Sequence, residues 1–140
     1  MAGETELVSD TLVAALRDTV AGVEDEHELN VELTVIGDRP LNGWGEAVIA
    51  ATREALRNAA RHAPGSKVFV FAEISGRSAE VFVRDDGPGF EPDDVPRERR
   101  GIRDAIVGRM ASAGGQATID SSPGAGTEVA LRIGAVRSGR

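Results

Sequence analysis

The chain has 140 residues, a formal charge of -7 and 41% hydrophobic residues, which is typical of one soluble globular domain with its own core. The negative charge argues against nonspecific nucleic-acid binding, and the absence of cysteine excludes disulfides and thiolate metal sites. The sequence has no apolar run long enough to span a membrane and no signal peptide. We therefore expect a cytoplasmic segment without membrane or nucleic-acid contact, even in a parent protein that is anchored to a membrane.

Hydrophobic periodicity and turn residues divide the chain into predicted elements. Helices are predicted at 4–23, 45–62 and 101–113, and strands at 31–36, 67–75, 79–85, 116–121 and 127–133. The last helix should bury one stripe of side chains: Ile102, Ala105, Ile106, Met110 and Ala113. The polar, proline-bearing segment 91–100 is predicted to be a mobile loop. This order predicts a two-layer α/β (α+β) sandwich, in which helices back one face of a mixed β-sheet.

One face of the long helix at 45–62 carries four polar side chains. Glu54, Asn58, Arg61 and His62 fall within an arc of about 100°. Three small residues beside them leave room for a bulky ligand: Ala47, Ala50 and Ala51. The simpler interpretation is a solvated helix face. The sharper one is a magnesium–phosphate site, because carboxylate and amide oxygens one turn apart suit a hard cation, while Arg61 and His62 suit phosphate or sugar.

Glycine-paced loops follow the strand that ends at Asp85 and the strand at 116–121. Gly87 and Gly89 let the backbone turn sharply after Asp85, although this pattern alone is also that of an ordinary turn. A carboxylate at a strand end can accept a hydrogen bond from a ligand amine. Gly126 before Thr127 forms a second loop of close approach.

A further glycine, Gly101, is predicted to open the last helix, where free N–H groups favour an anion. Together with Asp85 and the polar face of the long helix, these loops predict a nucleotide site. The carboxylate would bind the base, the acid–amide pair would bind the metal, and the glycine loops would bind the phosphates.

Four motifs in this order resemble those of sensor histidine kinases. They are Glu54–Ala63, Asp85–Phe90, Gly101-Ile102, and Gly114-Gly115 followed by Ser122–Thr127. Each motif is weak alone, but their order and spacing are specific, and the resemblance covers about residues 30–133. The chain looks like the catalytic, ATP-binding domain of the subfamily paired with helix-turn-helix response regulators.

The resemblance implies the fold of gyrase, heat-shock chaperone and mismatch-repair ATPases, with ATP between the long helix and a flexible lid. It implies that Asn58 coordinates Mg²⁺ and that Glu54, as its acidic partner, orients the phosphoryl acceptor. The other implied nucleotide contacts are Arg61, His62, Asp85, Gly87, Gly89, Gly101, Ile102, Gly126 and Thr127. Phosphoryl transfer demands mainly positioning and charge stabilisation from such a site.

Two positions depart from the family pattern. Arg99 stands where a lid glycine is usual, and it either replaces that glycine by charge, together with Arg97 and Arg100, or is simply solvated. Asp86 stands where asparagine is common, so we assign base recognition to Asp85 alone.

The chain also lacks an obvious phosphoacceptor. His27 falls in an acidic loop and His62 inside the ATP motif, so neither lies on a helix with a dimerising seam. We interpret 1–26 as a helix that ends the linker from a missing dimerisation domain, 27–134 as the ATP-binding domain, and 135–140 as a frayed tail. The implied partners are ATP, the histidine-bearing dimerisation domain and, indirectly, a response regulator. Two alternatives stay open: a stand-alone serine kinase of the anti-sigma-factor type and a non-catalytic ATP-binding module.

Overall fold

A single mixed β-sheet with helices packed on it forms the domain. The computed structural model describes residues 10–91 and 97–134, with Glu98 and Arg99 as backbone only. These ranges hold α1 (Leu12–His27), β1 (Asn30–Ile36), α2 (Gly45–His62), β2 (Lys67–Ile74), β3 (Ser78–Asp85), α3 (Arg97–Ser112), β4 (Gln116–Ser121) and β5 (Thr127–Gly134). Within them, no helix is both long enough and apolar enough to cross a membrane. The frayed tail predicted for 135–140 lies outside the described residues.

The five strands lie in the order β1-β2-β3-β5-β4. The pair β1–β2 is parallel, with α2 as the connection between its strands, and the other three pairs are antiparallel. A parallel pair requires such a crossover, whereas the antiparallel pairs β2–β3 and β4–β5 close through short turns. The predicted mixed sheet is confirmed.

One face of the sheet is apolar because the strand register aligns its side chains in rows. Two rows run across β2, β3, β5 and β4: Val70, Val83, Val129 and Ile119, and then Ala72, Val81, Leu131 and Ala117. The helices pack on these rows and share one hydrophobic core with them. The opposite face is partly exposed and carries Phe71 and Phe82, with Arg132 above the Phe82 ring and paired with Glu80 at 2.7 Å. The helices therefore back one face, as predicted.

The first helix begins later and ends later than predicted. The Thr11 hydroxyl caps α1 by accepting a hydrogen bond from the Ala14 N–H at 3.2 Å, and Glu28 ends the helix in the left-handed conformation. The last turn is polar and exposed, so apolar periodicity does not reveal it, and His27 lies there rather than in a loop. The predicted residues 4–9 lie outside the described residues. Leu16 at the centre of α1 is fully buried in the common core.

The helix α2 has the bounds that the sequence predicts. The side of the helix opposite the polar face is buried, and it includes Ile49, Thr52, Leu56, Ala59 and, directly after the helix, Ala63. The expected room beside the polar face is only partly there. Ala51 is completely buried in the core, and Ala50 lines a groove between α1 and α2. Ala51 therefore fills a core contact, and the space beside Ala50 lies on the α1 side of α2.

The start of α3 was predicted wrongly. The helix begins at Arg97, so Gly101 lies in its second turn and does not open it. Arginine and glutamate have high helix propensity, and an exposed first turn needs no apolar residue. Ile106 and Met110 form the buried stripe with Ile102 and Ala113 partly buried beside them, whereas Ala105 is exposed. Of the predicted loop, residues 92–96 lie outside the described residues.

Candidate functional site

A polar row ends the apolar face of the sheet. Asp85 on β3 lies opposite Thr127 on β5, and Thr127 lies opposite Ser121 on β4. Directly opposed residues of antiparallel strands project to the same side with Cβ atoms about 5 Å apart. Asp85 and Thr127 are 8% and 6% exposed. A carboxylate and a hydroxyl are therefore buried next to the row that contains Val83 and Val129. A buried polar row of this kind is expensive unless hydrogen bonds satisfy it.

The loop after β3 is fastened to this row and to α2. The Gly87 N–H donates to Oδ1 of Asp85 at 2.8 Å. A Cβ on Gly87 would overlap the Cβ of Ala63, the residue that follows α2. The loop therefore lies against the end of α2, with Gly87 between Ala63 and the Asp85 carboxylate. The absence of a side chain at Gly87 is explained by this packing, independently of any ligand.

The two glycine loops form one interlocked unit. The Gly124 N–H donates to the Pro88 carbonyl at 2.7 Å, and the Phe90 N–H donates to Oγ of Ser121 at 2.9 Å. A Cβ on Gly89 would overlap the Ser122 carbonyl oxygen. The loops after β3 and β4 thus position each other.

Ser121 is the residue of this site that sequence reasoning missed. It lies in the run before the second glycine loop, where its neighbours looked like parts of a turn. Its position opposite Thr127 could have been found by pairing the two closing strands as a hairpin across 122–126. The sequence does not show that Ser121 lies in the same row as Asp85. The two residues share this row only because β5 lies between β3 and β4.

The other part of the candidate site is the polar face of α2. Glu54, Asn58 and His62 are half-buried there, and Arg61 is exposed. The carbonyl oxygen Oδ1 of Asn58 is buried, and no hydrogen-bond partner for it lies among the residues that the structure describes. Such an oxygen costs about 1–3 kcal/mol of folding free energy when nothing pairs with it. The polar face of α2 therefore carries a buried acceptor that a ligand could pair with.

The donor set on α2 fits Mg²⁺ that arrives with phosphate. The described ranges hold no group of three or more His, Cys, Asp or Glu side chains that could bind a metal by themselves. Mg²⁺ takes oxygen ligands, and at nucleotide sites it is held by one or two protein oxygens, by phosphates and by water. Asn58, with Glu54 one turn before it, offers such oxygens.

The remaining predicted contacts lie on α3, which packs beside α2. Gly101 is exposed and Ile102 is partly buried against the core. Arg97 and Arg100 are exposed near the start of the helix, and the side chain of Arg99 lies outside the described part of the chain. The structure therefore gathers Asp85, the loop glycines and Thr127 into one cluster beside α2, and places Gly101 and Ile102 on the neighbouring helix.

Comparisons with known proteins agree with this architecture. The model of a family described as histidine kinase-, DNA gyrase B-, and HSP90-like ATPase matches residues 45–136. The chain is 34% identical over 92 residues to an uncharacterized sensor-like histidine kinase of Chloroflexus aurantiacus, covering 62% of this chain and 15% of that protein. It is 33% identical over 91 residues to the sensor histidine kinase LiaS of Bacillus subtilis, covering 65% of this chain and 25% of that protein. The chain therefore spans a quarter or less of these relatives.

Solved structures show the same fold. The mycobacterial sensor histidine kinase MprB superposes with a TM-score of 0.66 at 19% identity, over 89% of this chain and 94% of that one. The blue-light activated histidine kinase EL346 of Erythrobacter litoralis gives 0.67 at 24% identity, over 85% of this chain and 40% of that one. Since the family model covers more than half of the chain, the chain belongs to the histidine kinase-, DNA gyrase B- and HSP90-like ATPase family, as an ATP-binding catalytic domain of the histidine kinase type.

Proposed function

We propose that this domain binds Mg·ATP between α2 and the cluster around Asp85, and transfers the γ-phosphoryl group to a histidine on a dimerisation domain. A nitrogen of that histidine forms a bond to the γ-phosphorus while the bond to the bridging oxygen breaks, which leaves ADP. The observation that carries the proposal is the buried Oδ1 of Asn58 on the same helix face as Glu54, Arg61 and His62. The Asp85 loop packs against Ala63 at the end of the same helix, and in the proposal one ligand extends from that loop to the polar face.

Each of these side chains has a role in the proposal that its chemistry supports. Asn58, with Glu54 beside it, would hold Mg²⁺, which neutralises phosphate charge when bound. Glu54 would also orient the acceptor histidine, while Arg61 and His62 face phosphate or ribose. Asp85 would accept a hydrogen bond from the adenine amino group. Phosphoryl transfer then depends on positioning and on charge stabilisation.

The partners beyond ATP are proposals that follow from the family. The two sequence relatives are named as sensor kinases, which supports a histidine on a dimerisation domain as the acceptor. A response regulator would act downstream, and pairing with the helix-turn-helix class stays a prediction. The cytoplasmic location of this segment is also a proposal.

The acceptor can be identified by the chemistry of the phosphate product. The chain is incubated with Mg²⁺, γ-labelled ATP and the histidine-bearing hairpin of its parent kinase. We expect label that is lost in acid and kept in alkali, because phosphohistidine has these stabilities. Acid-stable label on a serine would support the anti-sigma-factor type of kinase instead. Binding of ATP without any transfer would support the non-catalytic module.

We expect Asp85→Asn to weaken ATP binding by about tenfold to a hundredfold, because a charge-assisted hydrogen bond is worth about 1.5–3 kcal/mol. The fold should persist, since an asparagine oxygen can still accept from the Gly87 N–H. Calorimetric titration with Mg·ATP measures the effect. The matched control is Asp86→Asn, an exposed neighbour that should change the affinity by less than about twofold. Equal affinities for the two variants would contradict the base-binding role of Asp85.

We expect Gly101→Ala to stabilise the free domain by about 0.5–1 kcal/mol, because this glycine is exposed inside a helix and a Cβ there would contact nothing. ATP binding should weaken by up to about fivefold. In this second turn the backbone N–H is used by the helix, so a phosphate contact at Gly101 requires local unwinding, which alanine resists. Gly108→Ala is the control, equally exposed on α3 and expected to change stability alone. An unchanged ATP affinity in Gly101→Ala would remove Gly101 from the phosphate site.

A further inference from the structure

Ser121 connects three parts of the site through one oxygen. Its Oγ accepts from the Phe90 N–H at 2.9 Å, lies 2.9 Å from the Gly126 carbonyl oxygen, and lies 2.9 Å from Oγ1 of Thr127. These partners belong to the loop after β3, the loop before β5, and the first residue of β5. Ser121 therefore joins both glycine loops to the hydroxyl that lies opposite Asp85.

Counting protons fixes the direction of these bonds. A serine hydroxyl has one proton to donate and two lone pairs. The Gly126 carbonyl can only accept, so its bond takes the Ser121 proton. The lone pairs then accept from the Phe90 N–H and from the Thr127 hydroxyl. The Thr127 hydroxyl consequently donates its proton to Oγ of Ser121.

The Thr127 hydroxyl is thereby left with acceptor capacity only. Any further group that meets Oγ1 of Thr127 has to bring a proton, and a carboxylate oxygen of Asp85 likewise accepts hydrogen bonds. The side of the row that faces the site thus presents two neighbouring acceptors. A 6-amino purine brings N–H groups to this position, whereas a 6-oxo purine brings another acceptor.

We propose that Ser121 is a positioning residue that sets purine specificity, by orienting the Thr127 hydroxyl as an acceptor for a 6-amino group, directly or through one water. The inference rests on the proposed ATP site. Without Ser121, the Thr127 hydroxyl can rotate and donate to a 6-oxo group, so the chain loses part of its discrimination. The rest of the discrimination comes from Asp85, because its carboxylate repels the carbonyl oxygen of a 6-oxo purine.

The test compares two nucleotides that differ at the 6-position. Affinities for ATP and for inosine triphosphate, which has a 6-oxo group, are measured with Mg²⁺ on the wild-type chain and on Ser121→Ala. We expect the ratio of the two affinities to fall by about tenfold in the variant, the effect of reversing one hydrogen bond. The ratio is informative because a general loss of folded protein or loop order lowers both affinities together. Ser121→Thr keeps the hydroxyl and should retain the wild-type ratio.

Two further variants keep the test decisive. If Ser121→Ala does not fold, Ser121→Cys takes its place, since a thiol has nearly the same size but donates and accepts only weakly. Adding Ser121→Ala to Thr127→Val should leave the ratio of the single Thr127 variant unchanged, because Ser121 acts through that hydroxyl.

The outcomes separate this inference from the proposed function. A wild-type chain that fails to bind ATP, or that binds both nucleotides alike, contradicts the adenine site itself and the inference with it. A wild-type chain that prefers ATP, together with Ser121→Ala and Ser121→Cys variants that keep the same preference, overturns the inference alone. An equal loss of both affinities would show that Ser121 only holds the loops.

Discussion

Replacing Asn58 by alanine should weaken magnesium-dependent nucleotide binding about a hundredfold without destabilising the domain. The buried Oδ1 of Asn58 has no hydrogen-bond partner among the described residues, so it contributes nothing favourable to folding. Alanine removes that oxygen and has the highest helix propensity of all residues. The free energy of unfolding should therefore stay constant or rise slightly. Most structural residues show the opposite behaviour, since truncating them destabilises the fold.

Unlike stability, the affinity of Asn58→Ala for Mg·ATP should fall. If Asn58 supplies a ligand to Mg²⁺, its loss should weaken Mg·ATP binding by about a hundredfold, equivalent to about 3 kcal/mol. Titrations with and without Mg²⁺ separate this effect from contacts to the base. The affinity for ATP in a chelator should change little, because Asp85 is untouched.

The control for Asn58→Ala lies one residue earlier on the same helix. Arg57 is exposed on the side that faces α1, where its guanidinium is 3.8 Å from the Glu26 carboxylate. An exposed ion pair of this kind is worth little. Arg57→Ala should therefore keep both stability and Mg·ATP affinity. If Asn58→Ala bound Mg·ATP as tightly as Arg57→Ala, the metal assignment would be wrong.

Local patterns in the sequence were sufficient to predict α2. Its apolar positions repeat every three or four residues, and Ala63-Pro64-Gly65 directly after it cannot continue a helix. The helical period alone therefore places the polar quartet on one face of the helix. The same reasoning failed for the first turn of α3, residues 97–100, because it has no apolar residue to reveal its period.

The polar row could not be predicted because it depends on which strands are neighbours. The sequence identifies a carboxylate at the end of β3 and a hydroxyl at the start of β5, but their contact follows from the order β3-β5-β4. That order is set by long-range pairing across more than forty residues of chain. Ser121 enters the site only through this pairing.

The glycines illustrate a second limit of sequence reasoning. The resemblance to histidine kinases implies that Gly87 and Gly89 contact the nucleotide. In the structure a Cβ at these positions would overlap Ala63 and the Ser122 carbonyl oxygen. A glycine in a loop thus indicates a close approach, but not whether the neighbour is a ligand or the protein itself.

Gly126→Ala should be among the most damaging single substitutions in the chain. Gly126 has φ of +74°, which costs an alanine about 1–2 kcal/mol, and the new Cβ would overlap the carbonyl oxygen of Asp85. That oxygen belongs to the backbone at the end of β3, so it cannot move without disturbing the row. We expect a total loss of about 4 kcal/mol or more in the free energy of unfolding, measured by urea denaturation with Trp44 as the fluorescent reporter.

Gly124→Ala separates the two causes of this loss. Gly124 lies two residues earlier with φ of +81°, and a Cβ there would contact nothing within 4 Å. It should therefore lose only the conformational part, about 1–2 kcal/mol, and bind ATP normally. Gly126→Ala should also lose ATP affinity wherever it still folds, because displacing the Asp85 backbone moves the carboxylate that we propose as the contact to the base. Equal stabilities for the two variants would mean that Gly126 does not hold Asp85 in place, and that the buried row tolerates a shift which its packing should forbid.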